Sequence, residues 1–594
     1  MNKNRNKFKK RKYNNSKVNN NQKNNFQDKA EGREYKKGFR AGKEDAFTLR
    51  NGKVDSAVST ETGAKDNNPE WYIPNQQIAK DVASISFDAA IGRPLTGKWA
   101  NDGKGSFPAF NQPVTDIPGI MTLSYVPSIG AATSPLDGVN VGADALYTYI
   151  RAQINKSNTI YEKSDVIKYI LALDGPYAFR SFMIRLYGAM TWISVVNRYT
   201  PQYLVNAMGV SYKDLSQNLA EFRAFLNQYT LRLSQFPIPK DITYIVRHVW
   251  MNENIFKDAN NNKAQMYMYA PSTLYMYQEG TDNTINGSKL VQAQVIRGRL
   301  VAGELGYLKF KDIMDIANSL LQPIIQSQDM QFIAGDILKA FGSDSMINMN
   351  MIAENFTIQP IYSEEVLSQI ENAEIAPDYV YSQVYEKTGI NEGYLVEEIG
   401  CLTDNLPWPY KREGHIINFH HENPSPEDVI VASRLMYNAI DPQNTVEFQV
   451  GNTTRELALM SNTGSEVLDA GVMFYINTNY TLVGWLFREY NYLSTQITTR
   501  PNFSNWNQFR WDLYENLTHS MLYASFDWAP KMHWQSDFLG LPQKPSTDAS
   551  VWISQSATDY DVVAEISEDV LEHINSMAML KQFNVPNMSG LTFR

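Results

Sequence analysis

The positive charge of this chain is gathered at one end. Of its 54 Lys and Arg and 63 Asp and Glu, the first 43 residues hold 15 and 3, leaving 39 against 60 for the rest. The leader is strongly cationic and the remainder sits near −21. Such a split fits an arm that seeks polyanions joined to a body that repels them. Residues 2–25 are dominated by Asn, Gln, Lys and Arg, with Phe8, Tyr13 and Val18 breaking the polar run. That composition buries too little apolar surface to offset roughly 1–2 kcal/mol of backbone entropy per residue, so a disordered arm is expected.

The body is different. The chain is 43% apolar and 12% aromatic, ample for packed cores. A length of 594 residues predicts roughly two to four domains. Cys401 is the single cysteine, so no intrachain disulfide forms, and folding in a reducing compartment is expected. The first 40 residues hold no apolar run of secretory-leader length. The most apolar stretch, 188–196, lies between Arg185 and Arg198 and is about half the length of a membrane span. A soluble product is expected.

The arm offers Lys3, Arg5, Lys7, Lys9, Lys10, Arg11, Lys12, Lys17 and Lys23 to phosphates. Each such contact releases counterions and gives a logarithmic salt slope of about −0.9 on duplex DNA, less on single strands. Phe8, Tyr13, Phe26, Tyr35 and Phe39 add aromatic faces for stacking on unpaired bases. No zinc spacing or recognition-helix pattern accompanies them, so any nucleic acid would be held without regard to sequence. The run Lys9 to Lys12 also satisfies a loose nuclear-import pattern. Residues 51–69 are small, polar and non-periodic, a linker open to proteases, and ordered structure is expected from Trp71 to Pro74 onward.

Periodicity predicts helices after Gly142 (Leu146, Ile150, Ile154 on one face), from a cap at Ser164-Asp165 to a stop at Gly175-Pro176, and over 177–196. Pro201 opens a short helix to Met208, and a long one covers 213–233. Alternating β-branched and aromatic residues predict strands at 242–250, 265–277, 446–450 and 471–476. Helices return at 313–321, 330–341 and 429–438, then at 506–523 and 561–582.

Catalytic motifs are weak. Gly92 to Lys98 fits the phosphate-loop spacing GxxxxGK, but Trp99 replaces the required hydroxyl and Pro94 removes a backbone donor. Cys401, His415, His420, His421 and Glu422 cluster in sequence without matching a paired-ligand template. His248, His519, His533 and His573 are scattered, most on apolar faces, and suit a core or interface role. The pairs Glu364-Glu365 and Glu397-Glu398 read as solvated faces. No cofactor, metal site or catalytic residue is expected, and no enzyme. An assembly is.

One ordered set of segments carries a family resemblance. It runs from Pro118-Gly119-Ile120-Met121 and Val126 to Gly130, through Leu146 to Arg151 and Ser164 to Asp174. Arg185 to Gly188, Asn197 to Pro201, Ala207 to Gly209 and Val246 to Met251 complete it. In these the chain resembles picobirnavirus capsid proteins. The resemblance implies a coat subunit, pairing into intertwined dimers that tile an icosahedral shell around double-stranded RNA. It also implies an outward domain and an N-terminal peptide lost by proteolysis. The partners are then the chain itself and genomic RNA, and the location the virion after synthesis in the host cytoplasm. The expected architecture is mainly α: a basic arm and linker (1–69), a helical shell domain in two parts (70–239 and 481–594) and an inserted mixed α/β projecting domain (240–480). The alternatives are a nucleoprotein coating RNA as a filament, which the acidic body disfavours, and an RNA-associated hydrolase built on Cys401 and His415 to His421.

Overall fold

The computed structural model describes residues 119–130, 132–154, 161–192, 200–260, 264–280, 287–295, 306–387, 393–402, 414–437, 440–450, 452–461, 463–476, 482–487, 526–531, 533–535, 554–556 and 560–583, with 77, 80, 81, 94, 95, 115 and 116 before them. The expected arm, the expected start of order at Trp71 and the helix expected at 506–523 lie outside these residues.

The chain divides into a smaller unit (Met1–Asp88, Ala259–Asn261, Phe419–Pro424) and a larger one holding the rest. In the smaller, Gln77 Nε2 donates to Asp81 Oδ1 one helical turn on, at 2.8 Å. The larger unit opens with β1 (Pro94–Leu95) and β2 (Thr115–Asp116), which pair antiparallel. Next come β3 (Ile120–Pro127), α1 (Gly138–Ile154), α2 (Lys163–Thr191), α3 (Thr200–Ala207), α4 (Tyr212–Gln217), α5 (Leu219–Leu233) and α6 (Thr243–Glu253). Strands β4 (Phe256–Lys257), β5 (Met266–Pro271), β6 (Thr273–Gln278) and β7 (Lys289–Gln294) lead to α7 (Phe310–Gln326) and α8 (Gln328–Phe341). After β8 (Ile361–Tyr362) and α9 (Glu364–Asn372) come β9 (Val380–Lys387), β10 (Tyr394–Leu402), β11 (Gly414–Phe419) and α10 (Pro426–Ala432). The chain continues through β12 (Ile440–Val450), β13 (Thr453–Met460), β14 (Glu466–Ile476), β15 (Leu482–Phe487), β16 (His533–Gln535), β17 (Ser554–Ser556), β18 (Val562–Ser567) and α11 (Glu568–Gln582).

Two six-stranded sheets dominate the strands, ordered β12-β13-β10-β9-β7-β6 and β15-β14-β3-β5-β4-β8. This is a mixed α/β fold, and the mainly α expectation is wrong. The missed strands explain the error. All eight residues of β3 are buried, so it shows no alternation of apolar and polar positions. The second sheet draws β3 from before residue 240 and β5 and β14 from after it, with β3 parallel to β5 and antiparallel to β14.

The helical layer centres on α2, in which every residue from Val166 to Met190 is buried. A helix covered on all sides has no single apolar stripe. The stop expected at Gly175-Pro176 is therefore absent, and one 29-residue helix replaces the two expected. Packing on every side outweighs the roughly 3 kcal/mol that an interior proline costs. Gly175 has its own reason: a Cβ there would stand 2.5 Å from the carbonyl oxygen of Tyr275. It lets α2 press directly against β6. Gly175→Ala is expected to destabilise the fold by about 1–3 kcal/mol, as overpacking does, measured as a lower urea midpoint. An unchanged midpoint would show that β6 can retreat. At the N-terminus of α2 the cap is Glu162, whose backbone N–H donates to Asp165 Oδ2 at 2.9 Å.

The strand expected at 242–250 is helix α6. Its β-branched and aromatic content suggested a strand, but the buried set Tyr244, Ile245, His248, Met251 and Asn252 follows the helical period. The long helix expected over 213–233 breaks at Asn218 into α4 and α5, and the last expected helix begins as strand β18. Helices α1, α3, α7 and α8 and strands β5, β6, β12 and β14 stand where the pattern put them. No helix among the described residues is long and apolar enough to cross a membrane.

Candidate functional site

Lys3, Arg5, Lys7, Lys9, Lys10, Arg11, Lys12, Lys17 and Lys23 lie outside the described residues. Of the phosphate-loop candidate, Pro94 and Leu95 form the two-residue strand β1.

Cys401 and His415 stand in different sheets. Cys401 is buried in β10, where its thiol donates to the carbonyl of Asp378 at 3.6 Å. His415 sits on β11, in a separate sheet, with Nδ1 2.9 Å from Glu374 Oε1. His420 and His421 follow in the bend after β11, and Glu422 is exposed. Among the described residues no three His, Cys, Asp or Glu side chains are placed to share a metal ion. His573 is exposed on α11.

Chemistry is concentrated in two buried junctions, both of which join segments far apart in the chain. The first is built on Glu397, expected on a solvated face but only 4% exposed. Ser128 Oγ and Ile129 N donate to its Oε2 at 2.7 and 2.8 Å, and Tyr275 Oη and Ser382 Oγ to its Oε1, each at 2.6 Å. Four donors thus come from the end of β3, from β6 and from β9. Burial raises the Glu397 carboxyl, and the hydroxyls and the amide draw it back. Thr463 and Ser128 share a further 2.6 Å hydrogen bond, and Tyr244 Oη donates to the carbonyl of Ser128 at 3.0 Å. Along β10, Leu395, Glu397 and Ile399 are buried while Val396 and Glu398 are half-buried, an alternation of facing that the run Leu-Val-Glu-Glu-Ile does not display as apolar against polar. Glu398 is not plainly solvated either, taking hydrogen bonds from Gln383 and Tyr385. Glu364 and Glu365 are exposed, in the first turn of α9.

The second junction is ionic. His248 of α6 is fully buried, with Nδ1 2.7 Å from Asp174 Oδ1 on α2 and Nε2 3.5 Å from Glu466 Oε2 on β14. Arg247, one residue earlier, pairs with Glu466 Oε1. Burial lowers the imidazole's proton affinity, but Asp174 and Glu466 more than reverse that and carry His248 up to about 9. Burial raises Glu466, yet the Arg247 guanidinium and the adjacent His248 imidazole hold it well below the usual carboxylate range. The Asp174 carboxyl is pushed up by burial and only partly restored by His248. The junction thus sets the Arg247 and His248 side chains against the carboxyl groups of Glu466 and Asp174.

Arg185 lies close by on α2 and is the largest fully buried side chain among the described residues. Its guanidinium donates to the backbone carbonyls of Met251, Asn254 and Tyr269 at 3.2, 3.1 and 2.6 Å. Burial lowers it to about 9. The first junction ties off both carboxylate oxygens of Glu397, whereas in the second Asp174 Oδ2 and His248 Nε2 have no hydrogen-bond partner among the described residues. What the two junctions do is lock α2, α6 and the two large sheets into one body.

The family model for the picobirnavirus capsid protein matches residues 71–501. The capsid protein precursor of Human picobirnavirus (strain Human/Thailand/Hy005102/-) is 24% identical over 556 residues, covering 89% of this chain and 93% of the relative. The X-ray structure of the picobirnavirus capsid superimposes with a TM-score of 0.68 at 21% identity, covering 89% of this chain and all of that one, and so shares the fold. With most of its length under the family model, this chain belongs to the picobirnavirus capsid proteins, structural components of the virion.

Proposed function

We propose that this chain is a coat subunit that assembles through dimers into an icosahedral shell around double-stranded RNA, and that its basic arm holds the RNA without reading its sequence. The observation that carries the proposal is the charge split: 15 basic residues against 3 acidic ones in the first 43, ahead of a body near −21. The family match begins at residue 71, so the arm precedes the matched region. Duplex RNA is recognised mainly by shape and phosphate, and cationic arms supply contact with phosphate. An acidic inner wall would leave the packed duplex free to slide. Residues 240–480 are proposed to supply the outward part of the shell, although β5 and β14 share a sheet with β3. Synthesis in the host cytoplasm goes with the single cysteine, Cys401.

Deleting residues 2–43 is expected to leave particles that form normally but carry several-fold less RNA, read as the absorbance ratio at 260 and 280 nm of purified shells. Loss of assembly would make the arm a clamp between subunits and end this reading of it. The human relative is named a precursor. We place a corresponding cut in the 51–69 linker, to be checked by intact mass of purified particles; an N-terminus still at Met1 would remove processing.

A further inference from the structure

We propose that the outward face of α11 (Glu568–Gln582) is a contact between two copies of this chain, with the helices antiparallel about a twofold axis. The inference rests on the coat-subunit reading and names one of its interfaces. Helix α11 has two apolar stripes. Leu571 and Met579, with Asn575 between them, form the buried one. It seats on α1, where a Cβ at Gly138 would lie 2.6 Å from the Leu580 nitrogen and one at Gly142 2.6 Å from Phe583 Cβ. The close fit fixes the helix on the body and dictates which side faces away.

The second stripe is Val570, Ile574 and Met577. Val570 and Met577 are each 50% exposed and Ile574 is half-buried. Steps of four and three residues are the seam by which helices pair. Strand β18, which leads directly into α11, exposes Val563 (53%), and its partner β11 exposes Ile416 (43%). Large apolar groups gathered on adjoining elements mark an interaction surface.

The charges of α11 select a second copy as the occupant. Its first turn carries Glu568 and Asp569, and its last turn carries Lys581. Lys581 continues the seam, four residues after Met577, and is exposed. In an antiparallel pair each Lys581 reaches the acidic first turn of the other helix. A parallel pair would set acid against acid. A twofold contact uses the same residues twice and needs no complementary patch elsewhere.

Two measurements test this. Ile574→Cys places a thiol near the axis, while native Cys401 is buried and silent. Under a mild thiol oxidant this variant is expected to run as a cross-linked dimer on a non-reducing gel, and wild type as a monomer. Val570→Glu with Met577→Glu is expected to weaken dimer association at least 100-fold in sedimentation, with circular dichroism and the urea midpoint unchanged. Lys581→Glu should weaken association on its own, and adding Glu568→Lys and Asp569→Lys should restore it. The proposal is overturned if wild type assembles and the double glutamate variant assembles equally well, or if assembled Ile574→Cys yields no cross-link because another segment covers the face. Wild type that stays monomeric under all conditions would instead sink the coat-subunit reading itself.

Discussion

Glu397→Ala is expected to lower the stability of the subunit by roughly 3–5 kcal/mol, the scale on which buried charged networks break. The substitution removes the acceptor for Ile129 N–H and for the hydroxyls of Ser128, Tyr275 and Ser382. A buried donor left without a partner costs about 1–3 kcal/mol. The hydroxyls can turn toward other acceptors, and Tyr275 already lies 3.0 Å from the carbonyl of Pro127. The Ile129 amide has no such freedom. Glu397→Gln keeps one carbonyl oxygen that can face Ile129 and Ser128, and should cost about 1–2 kcal/mol. Urea unfolding followed by tryptophan fluorescence separates the two variants. Equal midpoints for Glu397→Ala and wild type would mean that water fills the site and that the junction does not hold the sheets together.

The ionic junction sets a window of pH. The His248 imidazole, near 6.5 when unfolded, rises to about 9 when folded. Its contribution is therefore fully present below about 6.5 and is lost as pH rises through 9, on the order of 3 kcal/mol in all. Glu466 runs the other way: its folded value is depressed, so its contribution holds above the usual carboxylate range and falls away in acid. Other charged groups bear on the same point: Asp174 on α2, Arg247 beside His248, and Arg434, whose proton affinity burial lowers to about 10. Wild type is thus expected to lose stability between pH 7 and 10, and His248→Gln to be weaker at pH 7 but flatter over that interval. Parallel pH profiles for the two proteins would show that His248 is neutral when folded. Glu466→Ala should be the most damaging single change here, by roughly 3–5 kcal/mol, because it leaves Arg247 and His248 buried without their shared anion.

Much of the helical layer was legible from the sequence, because α1, α7 and α8 each bury one stripe and expose the other. Segments covered on all sides were not. Helix α2 and strand β3 have no polar face, so period gives no signal and local punctuation such as Gly175-Pro176 misleads. Helix α6 went wrong by composition, since tertiary contacts override the strand preference of Ile245, Val246 and Val249. The junction residues were hidden for a different reason. Asp174, His248 and Glu466 are separated by up to 292 positions, and a lone buried histidine acquires meaning only when folding brings its carboxylates. Glu397 was hidden too, since Leu-Val-Glu-Glu-Ile shows no alternation to say which glutamate turns inward. The charge split was visible at once, because it requires only counting.

Residues Met266–Gln278 run from β5 in one large sheet straight into β6 of the other, with only Ser272 between them. Ser272 is itself anchored, its hydroxyl donating to Asp469 at 2.7 Å. A push on either sheet is therefore carried to its neighbour by covalent bonds and not by side-chain friction alone. Deforming one sheet must therefore strain the other through this peptide link, so the two sheets of the larger unit respond as one.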